Sequence, residues 1–260
     1  QCATDSSFSE TFIDTTLVDS TFTSILADTT YYWRVKAVDV AGNEGEFSTL
    51  WRFEVDTHSP ATPVLVSPAD SVWLNNTSVI LKWDTVAQLV GESSATPERY
   101  IVQIDTIGSF VNPVVIDTTG VITDTLNLGE SKYWWRVKAY DLAGNESEFT
   151  EPWNFGVDTT SASVVRLIST PDQAYLSSDT VDFVWHQATD NLSGVTCYIL
   201  QRALDTAFSQ GLVEISSDDT MFTDVLPDTT YYWRVRAVDL AGNKGTFSAC
   251  LLYTSPSPRD

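Results

Sequence analysis

The sequence predicts an all-β protein built from tandem antiparallel β-sandwiches. A segment of 17 residues occurs three times, about 100 residues apart. Within each copy, apolar and polar residues alternate with a period of two, which is typical of strands that bury one face. Turn-forming residues interrupt these runs every ~8–12 residues, and a unit of about 100 residues with such short strands has the size of one sandwich.

The three copies align on a tryptophan, with no gap in the 32 residues that precede it. Trp33 and Trp135 are 102 residues apart, and Trp135 and Trp233 are 98 residues apart. Residues 1–43 match residues 201–243 at 23 positions, which indicates tandem duplication. Each tryptophan is preceded by a glutamine 32 residues earlier and by a phenylalanine 25 residues earlier: Gln1, Gln103 and Gln201, and Phe8, Phe110 and Phe208.

The segment "VLPDTTYYWRVRAVDLAGN" resembles strand F and the F–G turn of a fibronectin type III domain, and it is similar to tandem copies in bacterial secreted and surface proteins. The resemblance covers residues 1–249. It implies three tyrosine-corner residues, two core tryptophans of strand B and two tryptophans at the start of strand G; these are Tyr31, Tyr133 and Tyr231, then Trp83 and Trp185, then Trp51 and Trp153.

Aligning the copies predicts the domain boundaries. We expect residues 1–57 to form a partial repeat with strands C to G, without strands A and B. Residues 58–158 contain every strand of the fold. Residues 159–249 lack a native strand G, because the "WxFxVDT" segment that closes the other copies is missing there.

Residues 250–260, "CLLYTSPSPRD", break the repeat, and one back-translation of them resembles the transposon-end adapter used in sequencing libraries. We therefore interpret them as a non-native tail on a metagenomic fragment. By register, residues 251–254 should still pair beside strand F, with Leu251 and Tyr253 buried and Leu252 exposed. Pro256 cannot donate a ladder hydrogen bond, so pairing should end by Ser255.

The composition disfavours nucleic acid and an anionic membrane as partners. The net charge is −21, and 43% of residues are apolar against 19% charged. Such a field repels a phosphate backbone and an anionic lipid surface. The expected partners are neighbouring domains of a parent chain, with a polysaccharide or another surface protein as alternatives. By resemblance, the location is extracellular or at the cell surface.

No residue pattern indicates catalysis, and no cofactor is expected. His58 and His186 are the only histidines, and no other residue in the sequence marks either as a positioned base. Calcium is a weaker alternative, because Asp56 and Asp158 stand where two repeats could share an ion, although no EF-hand-like loop is present. The cysteines do not recur between copies, so no disulfide is expected.

An outward row of aromatic residues on strand F is the candidate binding feature. Tyr32, Trp134 and Tyr232 occupy one equivalent position, and an arginine follows each two residues later. Such a row could stack on sugar rings or on a partner. The structural alternative, which we favour, is cation–π stacking within the sheet.

The sequence is compatible with three functions. The first is a non-catalytic extracellular spacer that displays another domain, and the second is an adhesion or glycan-binding module that uses the outward aromatics. The third is a set of accessory repeats of an extracellular enzyme whose catalytic domain lies outside these residues.

Overall fold

The computed structural model describes residues 1–84 and 97–254, and it is all-β, with twenty strands and no helix in those residues. The first repeat holds four strands: β1 (Cys2–Ala3), β2 (Thr11–Ile13), β3 (Thr29–Trp33) and β4 (Trp51–Val55). The second holds eight: β5 (Val64–Ser67), β6 (Val72–Leu74), β7 (Ser78–Asp84), β8 (Arg99–Asp105), β9 (Val115–Thr119), β10 (Thr123–Asn127), β11 (Ser131–Tyr140) and β12 (Trp153–Val157). The third also holds eight: β13 (Leu167–Ser169), β14 (Ala174–Tyr175), β15 (Thr180–Trp185), β16 (Val195–Ala203), β17 (Val213–Ser217), β18 (Met221–Val225), β19 (Thr230–Asp239) and β20 (Leu251–Thr254).

The second and third repeats have the same topology. In each, a three-stranded sheet (β10-β7-β5 or β13-β15-β18) accompanies a five-stranded sheet, in the order β6-β12-β11-β8-β9 or β14-β20-β19-β16-β17. All pairs are antiparallel except β6 with β12 and β14 with β20. The parallel pairing of β6 with β12 depends on Gly156, because a Cβ on that residue would lie 2.1 Å from the ring of Trp73.

The alternating residues of the two sheets form one apolar core in each of these repeats. Trp83 and Trp135 are completely buried in the second repeat, as are Phe183 and Trp233 in the third. Trp185, the second predicted strand-B tryptophan, is also buried in the third. The tyrosine corners are visible as hydrogen bonds from the Tyr31 hydroxyl to the Ala27 carbonyl (2.9 Å) and from Tyr133 to Gly129 (3.0 Å).

The first repeat is a single sheet, in the order β2-β1-β3-β4. Strand E, which we expected here, is not formed: residues 21–25 have no strand assignment. The reason is that its counterparts β10 and β18 pair with the strands that carry Trp83 and Trp185, and the first repeat has no such strand. The inward face of the sheet is accordingly open, with Trp33, Val35 and Trp51 exposed by 38%, 53% and 62%.

The end of the chain pairs as the register predicts. In β20, Leu251 lies opposite Trp233 and Tyr253 opposite Tyr231, and Tyr253 is completely buried. The expected exposure of Leu252 is wrong, because it is half-buried. Its N–H and carbonyl bond to Asp172 and Gln173, so the segment before β14 covers it. Leu251 is only partly buried, and the predicted stop at Ser255 lies outside the described residues.

Within residues 1–84 and 97–254 there is no helix of the length and apolarity that a membrane crossing requires.

Candidate functional site

The outer face of each large sheet carries an arginine clamped between two phenylalanines. The Arg34 guanidinium carbon lies 4.0 Å from the ring centroids of both Phe8 and Phe47. In the second and third repeats the corresponding distances are 4.3 and 4.0 Å, then 3.9 and 4.1 Å, for Arg136 with Phe110 and Phe149 and for Arg234 with Phe208 and Phe247. Cation–π stacking is therefore present on this face, but the rings that the arginines contact are phenylalanines and not the expected Tyr32, Trp134 and Tyr232.

The glutamine 33 residues before each arginine completes the clamp. Nε and Nη2 of Arg136 both donate to Gln103 Oε1, at 3.0 and 2.8 Å. Arg34 with Gln1 and Arg234 with Gln201 have the same two bonds. The equal spacing of Gln, Phe and Trp in the sequence was the signal of this clamp. The spacing did not reveal the three-residue contact, because the second phenylalanine lies beyond the F–G turn in the sequence.

The outward aromatic row lies beside the clamps, on three different sheets. Tyr32, Trp134 and Tyr232 are each half-buried. The backbone of Gly108 packs on the Trp134 ring, since a Cβ there would lie 3.2 Å from Cδ1, and the Lys132 Nζ lies 5.2 Å from the ring centroid. Each ring thus exposes part of its surface to solvent, and the three rings lie in three separate sheets.

The F–G turns act within one repeat and between repeats. Asp39, Asp141 and Asp239 accept the backbone N–H of the asparagine four residues later, at 2.8–2.9 Å, as expected of a self-bonded turn. The glycines of these turns, Gly42, Gly144 and Gly242, have φ of 88–94°. In addition, Asn145 Nδ2 donates to the Asp56 carbonyl (3.0 Å) and Asn243 Nδ2 to the Asp158 carbonyl (2.8 Å). Sequence reasoning missed this contact with the preceding repeat.

A carboxylate also holds the segment that links each pair of repeats. Glu130 Oε1 accepts from Thr159 N (2.9 Å), Thr159 Oγ1 (2.5 Å) and Thr160 Oγ1 (2.8 Å). These bonds, chiefly that of the Thr159 hydroxyl, hold the pKa of Glu130 below its usual value. At the first junction Asp28 takes this role: hydrogen bonds from Thr57, led by its backbone N–H, and the nearby His58 lower the pKa of Asp28.

Three aspartates converge at the second junction, and we call them the junction cluster. Asp158 follows β12, Asp190 lies in the loop after β15, and Asp239 ends β19; one oxygen of each lies within 4.8 Å of the others. Asp158 and Asp239 are almost completely buried. A cavity of about 320 Å³ opens beside the cluster and is lined by Asp158, Asp190, Glu130, Thr160 and Asn191, among others.

At the first junction His58 forms a second such group with Asp28 and Asp56, and one ligand atom of each lies within 4.8 Å of the others. His58 Nδ1 lies 2.5 Å from Asp28 Oδ2 in an exposed linker, and His186 is exposed after Trp185. Cys2, Cys197 and Cys250 are free thiols.

The topology, the buried tryptophans and the tyrosine corners define a protein with the fibronectin type III fold, and the comparisons agree. The crystal structure of chicken CNTN1 FN1-FN3 domains matches 88% of this chain and 77% of its own, with a TM-score of 0.50 and 19% identity. No family model matches the chain.

Two curated relatives come from Cellulomonas fimi. Exoglucanase B is 28% identical over 259 residues, which cover 94% of this chain and 22% of the relative. Endoglucanase B is 28% identical over 238 residues, which cover 87% of this chain and 21% of the relative. The chain therefore spans about a fifth of the length of these relatives.

Proposed function

We propose that the chain is a non-catalytic, extracellular set of accessory modules, which space the other domains of a polysaccharide-degrading enzyme. The observation that carries this proposal is the alignment of 94% of the chain with 22% of an exoglucanase. The residues of this chain that align with that fifth have the fibronectin type III fold, whereas the name exoglucanase applies to the relative as a whole. This favours the enzyme-accessory form of the spacer hypothesis over display of an adhesin.

Several of the recurring residues support a spacer because they have structural roles. Arg136 and Gln103 complete the clamp, Tyr133 forms the tyrosine corner, and Asp141 and Asn145 shape the turn. Positions that recur in every copy thus serve folding and the contact between repeats, as expected for modules that are repeated for length.

The proposed modules are residues 1–57, 58–158 and 159–249. Two separate buried clusters, one around Trp83 and Trp135 and the other around Trp185 and Trp233, support the division after Asp158. The partners in this proposal are the neighbouring domains of the parent chain.

The test is an assay of the full chain on microcrystalline cellulose and on soluble β-glucans. We expect neither hydrolysis nor saturable retention on the solid. Hydrolysis that survives further purification would contradict the proposal.

A second candidate is glycan binding by the outward aromatics. The observation that favours it is the partial exposure of Trp134 beside a lysine. Retention on a polysaccharide that Trp134→Ala abolishes and Trp73→Ala leaves unchanged would establish this function, because Trp73 is also half-buried but lies outside the row.

A further inference from the structure

The junction cluster brings together carboxylates from both sides of a boundary between repeats. Asp158 belongs to the end of the second repeat, whereas Asp190, in a loop, and Asp239, at the end of β19, belong to the third. Asp158 is 0% exposed and Asp239 is 1% exposed, and their oxygens lie within 4.8 Å of one another and of Asp190. Carboxylates held this close and removed from water repel one another unless a positive charge joins them.

The protein itself supplies no such charge among the described residues. The ion pairs found there involve other carboxylates, and no Lys, Arg or His nitrogen lies within 4.0 Å of the cluster. The cluster receives only hydrogen bonds among the described residues: Thr160 N and Ser193 N donate to Asp158, Gly194 N donates to Asp190 at 3.4 Å, and the Asn243 backbone and amide donate to Asp239. These donors leave lone pairs on the carboxylate oxygens.

Ser193 provides an independent indication of a ligand. Its side chain is 7% exposed, and its Oγ is buried without a hydrogen-bond partner among the described residues. The backbone N–H of the same residue donates to Asp158 Oδ2 at 3.0 Å. Because Oγ is three bonds from that nitrogen, this buried, unpartnered oxygen lies close to the Asp158 carboxylate. A buried hydroxyl without a partner is unusual in a folded protein.

We propose that Asp158, Asp190 and Asp239, with the Ser193 hydroxyl, bind one Ca²⁺ ion at the boundary between the second and third repeats. Ca²⁺ takes 6–8 oxygen ligands and accepts carboxylates with one or two oxygens, so these four residues supply from four to seven. The adjacent cavity, lined with Glu130, Thr160 and Asn191, admits the water that completes the shell. Mg²⁺ fits less well, because it requires a strict octahedron and keeps most of its water.

The bound ion would fix one repeat against the next. Asp158 is the last residue before the linker, and its carbonyl already accepts from Asn243 at 2.8 Å. At the first junction, Asp56 and Asp141 are the equivalents of Asp158 and Asp239. Asp56 Oδ2 is buried without a partner among the described residues, and Asp141 is 2% exposed. The site does not depend on the spacer function proposed above.

The experiment is calcium titration of the full chain by calorimetry, together with thermal unfolding in EDTA and in Ca²⁺. Asp190→Asn and Ser193→Ala are compared with Asp218→Asn, an exposed aspartate far along the chain from the cluster. NaCl of equal ionic strength controls for screening of the net charge of −21.

We expect saturable binding and a rise in the Tm of the third repeat of about 5 °C in excess Ca²⁺. Asp190→Asn should reduce the stoichiometry by one ion, and Ser193→Ala should weaken that ion several-fold while leaving the Tm in EDTA unchanged. Asp218→Asn should behave as the parent chain, and Mg²⁺ should bind more weakly. Equal effects of NaCl and Ca²⁺, or an unchanged stoichiometry in Asp190→Asn, would overturn the proposal.

Discussion

The arginine clamp shows how one residue organises the outer face of a repeat. A guanidinium stacked between two rings keeps its planar donors free at the edge, where the glutamine oxygen accepts two of them. Phe8, Phe110 and Phe208 adopt φ of 52–55°, a conformation that costs an ordinary residue about 1–2 kcal/mol. The backbone strain is tolerated because it places each ring over the arginine.

We expect Arg136→Lys to destabilise the second repeat by about 1–2 kcal/mol, since lysine cannot make both bonds to Gln103 or stack as a plane. Hydrogen exchange of the β11 amides in the full chain measures the local opening free energy. Lys82→Arg, an exposed charge-conserving change on the other sheet, should leave it unchanged. Equal protection in Arg136→Lys and the parent chain would show that the clamp does not stabilise the strand.

Sequence reasoning found the glutamine, the first phenylalanine and the arginine of each clamp, but not the second phenylalanine or the contacts between them. The fixed spacing of Gln103, Phe110 and Trp135 was visible, and the faces of the strand followed from alternation. The left-handed backbone at Phe110 and the approach of Phe149 depend on tertiary packing, which no local pattern encodes.

At the scale of one element, β20 is informative because Tyr253 occupies the place that Phe155 has in the second repeat. Tyr253 is 0% exposed, stacks on Tyr231 with centroids 5.5 Å apart, and has a buried hydroxyl without a partner among the described residues. Burial also raises the pKa of Tyr253. A buried hydroxyl without a hydrogen bond opposes folding.

Tyr253→Phe should therefore raise the stability of the third repeat by about 1 kcal/mol, and Tyr253→Ala should lower it by about 3–5 kcal/mol. The measurement is hydrogen exchange of the β19 amides in the full chain. Loss of protection in Tyr253→Phe would indicate that the hydroxyl is hydrogen-bonded in solution.

The register of β20 followed from the repeat, because alternation alone decides which side chains face inward. The burial of Leu252 did not follow from it. That burial comes from residues 172–173, some 80 positions earlier, where the Asp172 carboxylate accepts from the Leu252 N–H and the Gln173 N–H donates to the Leu252 carbonyl.

The carboxylate at each linker makes the junctions sensitive to acid. The folded pKa of Glu130 is depressed, so its hydrogen bonds to Thr159 and Thr160 contribute stability above the unfolded pKa of about 4.3. This contribution is lost as pH falls through the lower, folded pKa. We expect the rate at which pepsin cleaves the 158–160 linker to rise as the pH falls through that window. The rise should be smaller in Glu130→Gln, which has no carboxylate to protonate. Glu214→Gln, a change of the same kind elsewhere in the third repeat, is the control and should behave as the parent chain. Identical cleavage profiles for parent and Glu130→Gln would refute the role of the carboxylate.

At the scale of the whole molecule, the repeats differ in whether they can fold alone. Residues 58–158 contain both sheets and a closed core, and we expect them to unfold cooperatively as an isolated domain. Residues 1–57 expose Trp33, Val35 and Trp51, and apolar area is worth about 25 cal/mol per Å² when buried. Circular dichroism and proteolysis of the two fragments test this. A protease-resistant monomer of residues 1–57 would contradict it.

The acceptor at each boundary, the carbonyl of Asp56 or Asp158, belongs to the main chain. A main-chain oxygen is present whatever side chain accompanies it, and the donor amide sits in a turn that every copy encodes. A gene duplication that adds another copy in frame therefore also adds the donor and the acceptor of the hydrogen bond between neighbouring repeats. Lengthening of the array requires no new compensating mutation, so recombination between copies can change the number of units while each boundary stays the same.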